Sequence, residues 1–190
     1  MFKKKILEHC ETISSLLNHS HQIDNFIKIL TSKIKKGGKI LLCGNGGSAA
    51  DAQHLAAEFL IRLRPNISRM PLPAISLATD TSTLTACGND YDFNKIFERP
   101  FLALSNKNDV LLVISTSGAS KNIINVLKAA KKKKITSLAF LGKNGGDSKK
   151  FCDEMIIVKS DNTAIIQEAH IFLGHHILEK VEDNLIRYFR

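Results

Sequence analysis

The stretch Leu41-Leu42-Cys43-Gly44-Asn45-Gly46-Gly47-Ser48-Ala49-Ala50-Asp51-Ala52-Gln53-His54-Leu55-Ala56-Ala57-Glu58 passes from an apolar run, through a glycine-rich turn, straight into a helix-forming segment. Its three glycines permit positive φ and let a ligand approach the backbone closely. Ser48 stands where an N-cap belongs, and Asp51 follows three residues on in the manner of a capping box. Such a turn aims backbone N–H groups and the positive end of a helix dipole at its mouth, which suits an anion. His54 and Glu58, at i and i+4, share one face of the helix and form a candidate acid–base or metal pair. Plainer readings stand beside these. GNGGS lacks both the dinucleotide spacing and the Gly-Lys-Ser/Thr of a P-loop, so it also reads as a tight strand-to-helix turn. His-x-x-x-Glu is also a common surface ion pair.

Outward from this stretch, strand and helix alternate. Residues 73–77 read as a short strand, and the hydroxyl-rich Thr79-Asp80-Thr81-Ser82-Thr83 caps a helix through 84–87. Gly88-Asn89-Asp90-Tyr91 reads as a turn before an amphipathic segment over 94–104. Val110–Ser115 is the most apolar strand, expected to be central and parallel, and a helix follows over 121–133. Strands at 135–141 and 155–158 flank a segment opening with Gly142-Lys143-Asn144-Gly145-Gly146, and a long helix over 163–188 ends the chain. Upstream, Ile6, Ile13, Leu16 and Leu17, then Ile23, Phe26, Ile27, Leu30 and Ile34, recur at helical spacing and mark two helices that end at Gly37-Gly38. The pattern predicts an α/β fold, a doubly wound parallel sheet of about five strands with helices on both faces. Residues 1–190 are expected to form a single domain, with 1–37 an N-terminal helical extension and 38–190 the α/β core and C-terminal helix. The extension serves either as an oligomer contact or as packing for the sheet.

The 190 residues suit one domain, and the formal charge of +9 favours anionic ligands in general. Lysines cluster at 3–5, at Lys33, Lys35 and Lys36, and at 131–134, far apart and without aromatic interleaving; Trp is absent and Tyr numbers two. That distribution argues against a nucleic-acid platform. Cys10, Cys43, Cys87 and Cys152 form no C-x-x-C, and Cys43 and Cys87 read as buried reduced thiols. Met1-Phe2-Lys3-Lys4-Lys5 begins like a signal peptide, but Glu8, His9 and Glu11 interrupt any apolar core, and no run approaches membrane-spanning length. No membrane association is expected, and the expected location is cytoplasmic.

The second informative stretch is Ser115-Thr116-Ser117-Gly118-Ala119-Ser120, four hydroxyls round one glycine at a helix start. Hydroxyls and backbone N–H groups together can hold a phosphate without a lysine, whereas a serine-rich cap accounts only for Ser120. In a doubly wound sheet both loops fall at the carboxyl ends of strands, where ligands bind.

CGNGGS, DAQHLAAE, TDTSTLTACGNDYDF, VLLVISTSGAS and IQEAHIFLGHHI together resemble the phosphoheptose isomerases of the sugar isomerase (SIS) fold, over nearly the whole chain. The resemblance implies interconversion of sedoheptulose 7-phosphate and D-glycero-D-manno-heptose 7-phosphate, for lipopolysaccharide, capsule or another glycoconjugate. It implies a homotetramer with sites between subunits, and a zinc ion at His54, Glu58, Gln167 and His175. It also implies that Ser48, Ser115, Thr116, Ser117 and Ser120 hold the phosphate. Asn45, Gly46, Gly47, Asn89, Asp90 and Gln167 would line the sugar, and Glu58 and His175 would form the catalytic pair. Gln167 and His175 are eight residues apart, roughly 12 Å along a helix and about 80° round it, so either long side chains or two subunits would have to bring them to one ion. Glu168, His170 and His176 have structural readings, and Arg62 reads equally as a second-tier sugar or phosphate contact and as a solvated helix end. Two positions depart from the family pattern: Ile165, where many relatives carry Arg, and Asp92, where Gly is common. The competing reading is a non-catalytic SIS protein that binds the bacterial replication initiator; such a protein lacks the acid–base pair, and Glu58 and His175 are both present here.

Overall fold

The structure, a computed structural model, describes residues 2–189. Five parallel strands, β1 (Ile40–Gly44), β2 (Ala74–Ser76), β3 (Val110–Ser115), β4 (Thr136–Gly142) and β5 (Glu154–Val158), form one sheet in the order β2-β1-β3-β4-β5. The central strand β3 is buried at all six positions, as its unbroken apolar run requires.

Alternation along each strand divides the interior in two. Ile40, Leu42, Val110, Leu112, Ile114, Leu138 and Phe140 face a layer made by α2 (Ser20–Lys35), α3 (Gly47–Leu60) and α7 (Thr163–Phe189). Leu41, Cys43, Leu111, Val113, Ala139 and Leu141 face the opposite layer of α4 (Thr81–Asp90), α5 (Glu98–Leu104) and α6 (Lys121–Lys133). The connection after β1 crosses on the first face and the connection after β3 on the second. The chain therefore diverges between β1 and β3, and that divergence leaves a crevice at their carboxyl ends.

The N-terminal extension is used unequally. In α2, Phe26, Ile27, Leu30 and Ile34 are buried against the sheet and α7. In α1 (Phe2–Ser15) only Thr12 is buried, and Phe2, Ile6, Leu7 and, in the short 3₁₀ turn that follows, Leu17 are exposed.

Several local expectations change. The turn placed at Gly88-Asn89-Asp90-Tyr91 belongs to the last turn of α4, because Asp80 caps the helix by accepting from the Ser82 N–H and the helix continues through Asp90. The segment 94–104 is broken into a 3₁₀ turn (Phe93–Lys95) and α5. Pro100 sits in the first turn of α5, where its missing N–H costs nothing, but it cannot continue a helix running in from residue 94. Cys43 and Cys87 are buried free thiols. Among the described residues no helix is long and apolar enough to cross a membrane.

Candidate active site

The loop after β1 turns through Gly46, at φ 57, and α3 begins at Gly47. The N-cap is therefore Gly46, not Ser48, because the glycine at positive φ turns the chain two residues earlier than the serine would. Ser48 is buried inside the first turn, its N–H bonded to the Asn45 carbonyl. Asp51 forms no capping box; Oδ2 is buried without a hydrogen-bond partner. Burial pushes its carboxyl up to about 6, against the opposing pull of His54.

The loop after β3 emerges beside the loop after β1, since Gly44 pairs with Ile114 across the adjacent strands. Gly118 holds φ 62, and a Cβ there would lie 2.1 Å from the Gly145 carbonyl oxygen, so only glycine lets this loop lie against residues 145–146. Ser115 Oγ accepts from the Gly118 N–H (3.1 Å) and Ser117 Oγ from the Ala119 N–H (3.2 Å). Both hydroxyls keep a proton to donate. Thr116 and Ser120 are half-buried, and Ser120 occupies the N-cap of α6 without a side-chain cap bond. A phosphate here would meet hydroxyl donors at the start of α6.

Asn45 and Asn122 join the two loops. Asn45 Nδ2 donates to Asn122 Oδ1 and Asn122 Nδ2 donates to Asn45 Oδ1, each at 2.9 Å, and Asn122 is 2 % exposed. Asn122 was not among the residues singled out from sequence. Its signal is an asparagine standing in the buried stripe Asn122, Val126, Ala129, where an amphipathic helix should be apolar.

Helices α3 and α7 run side by side in the same direction, and their facing residues form rungs. At the first rung the Gln167 amide packs on Gly47, where a Cβ would lie 2.2 Å from Nε2. Further along, Gly174 admits the Leu55 side chain, where a Cβ would fall 2.6 Å from it. His54 Nε2 and His175 Nε2 meet at 2.8 Å with their rings edge to face, and Glu58 Oε1 lies 3.5 Å from His54 Nε2. One imidazole must donate and the other accept, so the contact selects a neutral nitrogen on one ring. Burial holds His175 below the usual histidine range, and His54 adds to this while Glu58 opposes it.

One chain therefore brings Glu58 and His175 together through His54, and places Gln167 at the glycine turn about two helical turns away. Among the described residues no group of three or more His, Cys, Asp or Glu side chains is arranged to hold a metal ion. The donor types nevertheless suit zinc, two imidazole nitrogens and a carboxylate oxygen; a glutamine oxygen is a less usual ligand. Asn89 and Asp90 lie exposed at the end of α4, bonded to each other at 2.8 Å. Glu168 pairs with His9 of α1 at 2.7 Å, His176 is exposed, and Arg62 donates to the Pro65 carbonyl. His170 is buried, and Ile165 is buried where an arginine would have no room for its charge. Asp92 starts the 3₁₀ turn by accepting from the Asn94 N–H.

Known proteins are similar to this chain in sequence and fold. Residues 2–142 match the SIS domain family. A phosphoheptose isomerase of Clostridium acetobutylicum is 47% identical over 182 residues, covering 96% of this chain and 92% of its own length. The structure of a phosphoheptose isomerase from Francisella tularensis superposes with a TM-score of 0.89 at 34% identity, covering 96% of each chain. That from Neisseria gonorrhoeae gives 0.85 at 37% identity, covering 96% of this chain and 100% of the other. Fold, loops and similarity over nearly the full length agree: the chain belongs to the SIS-domain family and, within it, to the phosphoheptose isomerases.

Proposed function

We propose that the protein is an aldose–ketose isomerase converting sedoheptulose 7-phosphate to D-glycero-D-manno-heptose 7-phosphate through an enediol, as a step in bacterial heptose biosynthesis. The observation that carries this reading is the meeting of Glu58, His54 and His175 on facing helices, about two helical turns along α3 from the glycine turn at the β1/β3 crevice. The reading of a non-catalytic protein that binds the replication initiator finds no support, since the relatives described above are isomerases in name.

The phosphate is assigned to Ser48, Ser115, Thr116, Ser117 and Ser120, and the sugar to Asn45, Gly46, Gly47, Asn89, Asp90 and Gln167. Asn45 reaches the sugar with what its pairing to Asn122 leaves, one N–H and one lone pair. Glu58 takes the proton from C1 of the ketose while the C2 carbonyl oxygen gains one, giving the enediol. Returning a proton to C2 as O1 releases its own completes the aldose. His175, held neutral by burial, serves the oxygens, because a neutral imidazole can both accept and donate.

Zinc is proposed at His54, Glu58 and His175; Gln167, the fourth donor that the resemblance implies, packs on Gly47 about two helical turns away and is not brought to the same point in this chain. A bound ion would supply Lewis-acid stabilisation of negative charge on the sugar oxygens. The protein is further proposed to act in the cytoplasm as a homotetramer with sites between subunits, and the exposed apolar side chains of α1 support that assembly. Because His54 contacts both Glu58 and His175 within one chain, the proposed pair is assigned to a single subunit, and any partner would add accessory contacts. The test is a direct assay with sedoheptulose 7-phosphate, with and without chelator, beside metal analysis of the purified protein. No conversion by metal-replete protein would overturn the activity, and full activity of metal-free protein would overturn the zinc.

A further inference from the structure

Arg69 lies outside every motif, in the loop between α3 and β2, yet its side chain is only 4% exposed. Its guanidinium makes four bonds. Nε donates to Glu182 Oε2 at 2.6 Å, Nη2 to the Glu58 carbonyl at 2.8 Å, and Nη1 to the Phe59 and Met70 carbonyls at 3.0 and 2.9 Å. The Glu58 and Phe59 carbonyls belong to the last turn of α3, where intrahelical partners run out. Glu182 is on α7, seven residues beyond His175, and is itself only 3% exposed. Arg64 holds its other oxygen, Nε to Oε1 at 2.9 Å, and reaches Asp183 at 2.6 Å.

We propose that Arg69, anchored by Glu182, is a positioning residue for the isomerisation: it grips the backbone of Glu58 from α7 and so fixes the carboxylate relative to His175. The inference rests on the reading of Glu58 and His175 as the proton-transfer pair. Stability alone does not call for this device, because an apolar pair of similar volume often serves a buried ion pair's place as well or better. An apolar pair has no donors, however, and cannot hold a carbonyl of the residue that moves the proton. The clamp sits at the opposite end of α3 from the anion loops, so it bears on turnover rather than on phosphate binding. A planar fork is needed to reach a carboxylate and carbonyls at once, which lysine lacks.

The test compares Arg69→Lys, Arg69→Met and the double variant Arg69→Met/Glu182→Met with Glu58→Gln, measuring melting temperature, kcat and KM for sedoheptulose 7-phosphate. Arg69→Met is expected to lower the melting temperature, since it leaves Glu182 buried with one partner fewer. The double variant is expected to recover that temperature without recovering kcat. In Arg69→Lys and the double variant kcat should fall roughly ten- to hundredfold, as for a reacting group displaced by about 1 Å. KM should stay within about threefold of the parent. Parental kcat in both folded variants, or kcat returning together with melting temperature in the double variant, would overturn the clamp. Near-normal turnover of Glu58→Gln would instead strike the proton-transfer reading beneath it.

Discussion

Helix α3 begins on Gly46, Gly47, the buried Ser48 and the carboxamides of Asn45 and Gln167, and it ends against Arg69, Arg64, Glu182 and Asp183. The two ends face opposite electrostatic demands. At the N-terminus the helix presents positive partial charge, and the groups around it are dipoles that an exchangeable anion can meet and leave. At the C-terminus the exposed carbonyls are negative, and a permanent cation closes them. Between the ends lie His54 and Glu58, facing His175. On the proposed reading, the contrast separates binding, at the mouth, from alignment, at the far end.

The largest effect is expected between the two ends. Glu58→Gln and His175→Gln each remove a proposed proton-transfer group without changing size much, and each should lower kcat by roughly 10²–10⁴-fold. Circular dichroism and sedimentation should show fold and assembly unchanged. Near-normal turnover in either purified variant removes that residue from the catalytic pair. Mixing the two variants under subunit exchange should restore no activity, because the structure brings both groups together from one chain.

A second effect sits on α7 between the rungs. His170 is fully buried against Phe140, with Nε2 donating to the Leu141 carbonyl at 3.1 Å and Nδ1 without a partner. Burial pushes its pKa down to about 4, with the Leu141 bond opposing. The folded state therefore binds fewer protons than the unfolded state between about pH 4 and 6.5. The resulting stabilisation, on the order of 3 kcal/mol, is complete above pH 6.5 and lost as pH falls toward 4. Urea denaturation of the parent and His170→Gln across this range checks it; equal pH dependence in the two proteins refutes the assignment.

The two ends of α3 also differ in how far the chain announces them. Strand-turn-helix patterning around GNGGS and STSGAS is local, so residues 40–48 and 110–121 disclose the sheet, its centre and the crevice without tertiary information. The cap lies two residues before Ser48 because Ser48 carries the preferred side chain while Gly46 carries the permissive backbone, and backbone geometry prevails. Arg69 and Glu182 are 113 residues apart; Arg69 sits in no periodic pattern, whereas Glu182 is the polar member of the buried stripe Leu178, Val181, Glu182, Leu185 on α7. Charged side chains in a loop and near a chain end ordinarily read as solvated. Asn122 was legible in principle, as the polar member of a buried stripe. The separation of Gln167 and His175 along α7 follows from their spacing alone; what each faces on α3, Gly47 for Gln167 and His54 for His175, depends on how the two helices pack.

At the mouth, Ser117→Ala and Ser120→Ala each delete one hydroxyl from the loop after β3. A hydrogen bond to a charged group is worth about 1.5–3 kcal/mol, so affinity for heptose 7-phosphate should fall roughly ten- to hundredfold. Ser120 should show the cleaner loss, since its hydroxyl caps nothing, whereas Ser117 also braces the Ala119 N–H. Unchanged affinity in both variants by calorimetry would move the phosphate elsewhere.

The smallest effect tests the division between the two ends most directly. Asn122→Ala removes one half of the reciprocal carboxamide pair and leaves Asn45 to find water in a half-buried position. An unsatisfied polar group costs about 1–3 kcal/mol, and exposure beside the crevice should hold this case near the lower figure. For a chain of this size about 1 kcal/mol corresponds to a fall in melting temperature of roughly 2–4 °C. Because Asn122 ties the loop after β1 to the loop after β3, loosening it should raise KM a few-fold while kcat stays near the parent, the reverse of the split expected for Arg69→Lys. Asn122→Asp should lie between: its carboxylate can still accept from Asn45 Nδ2 and from the Ile123 N–H, but it faces Asn45 Oδ1 with an oxygen in place of a donor. A fall in kcat at constant KM in Asn122→Ala would mean that the mouth aligns the proton-transfer groups as well as binding the phosphate, and the separation drawn between the two ends of α3 would fail.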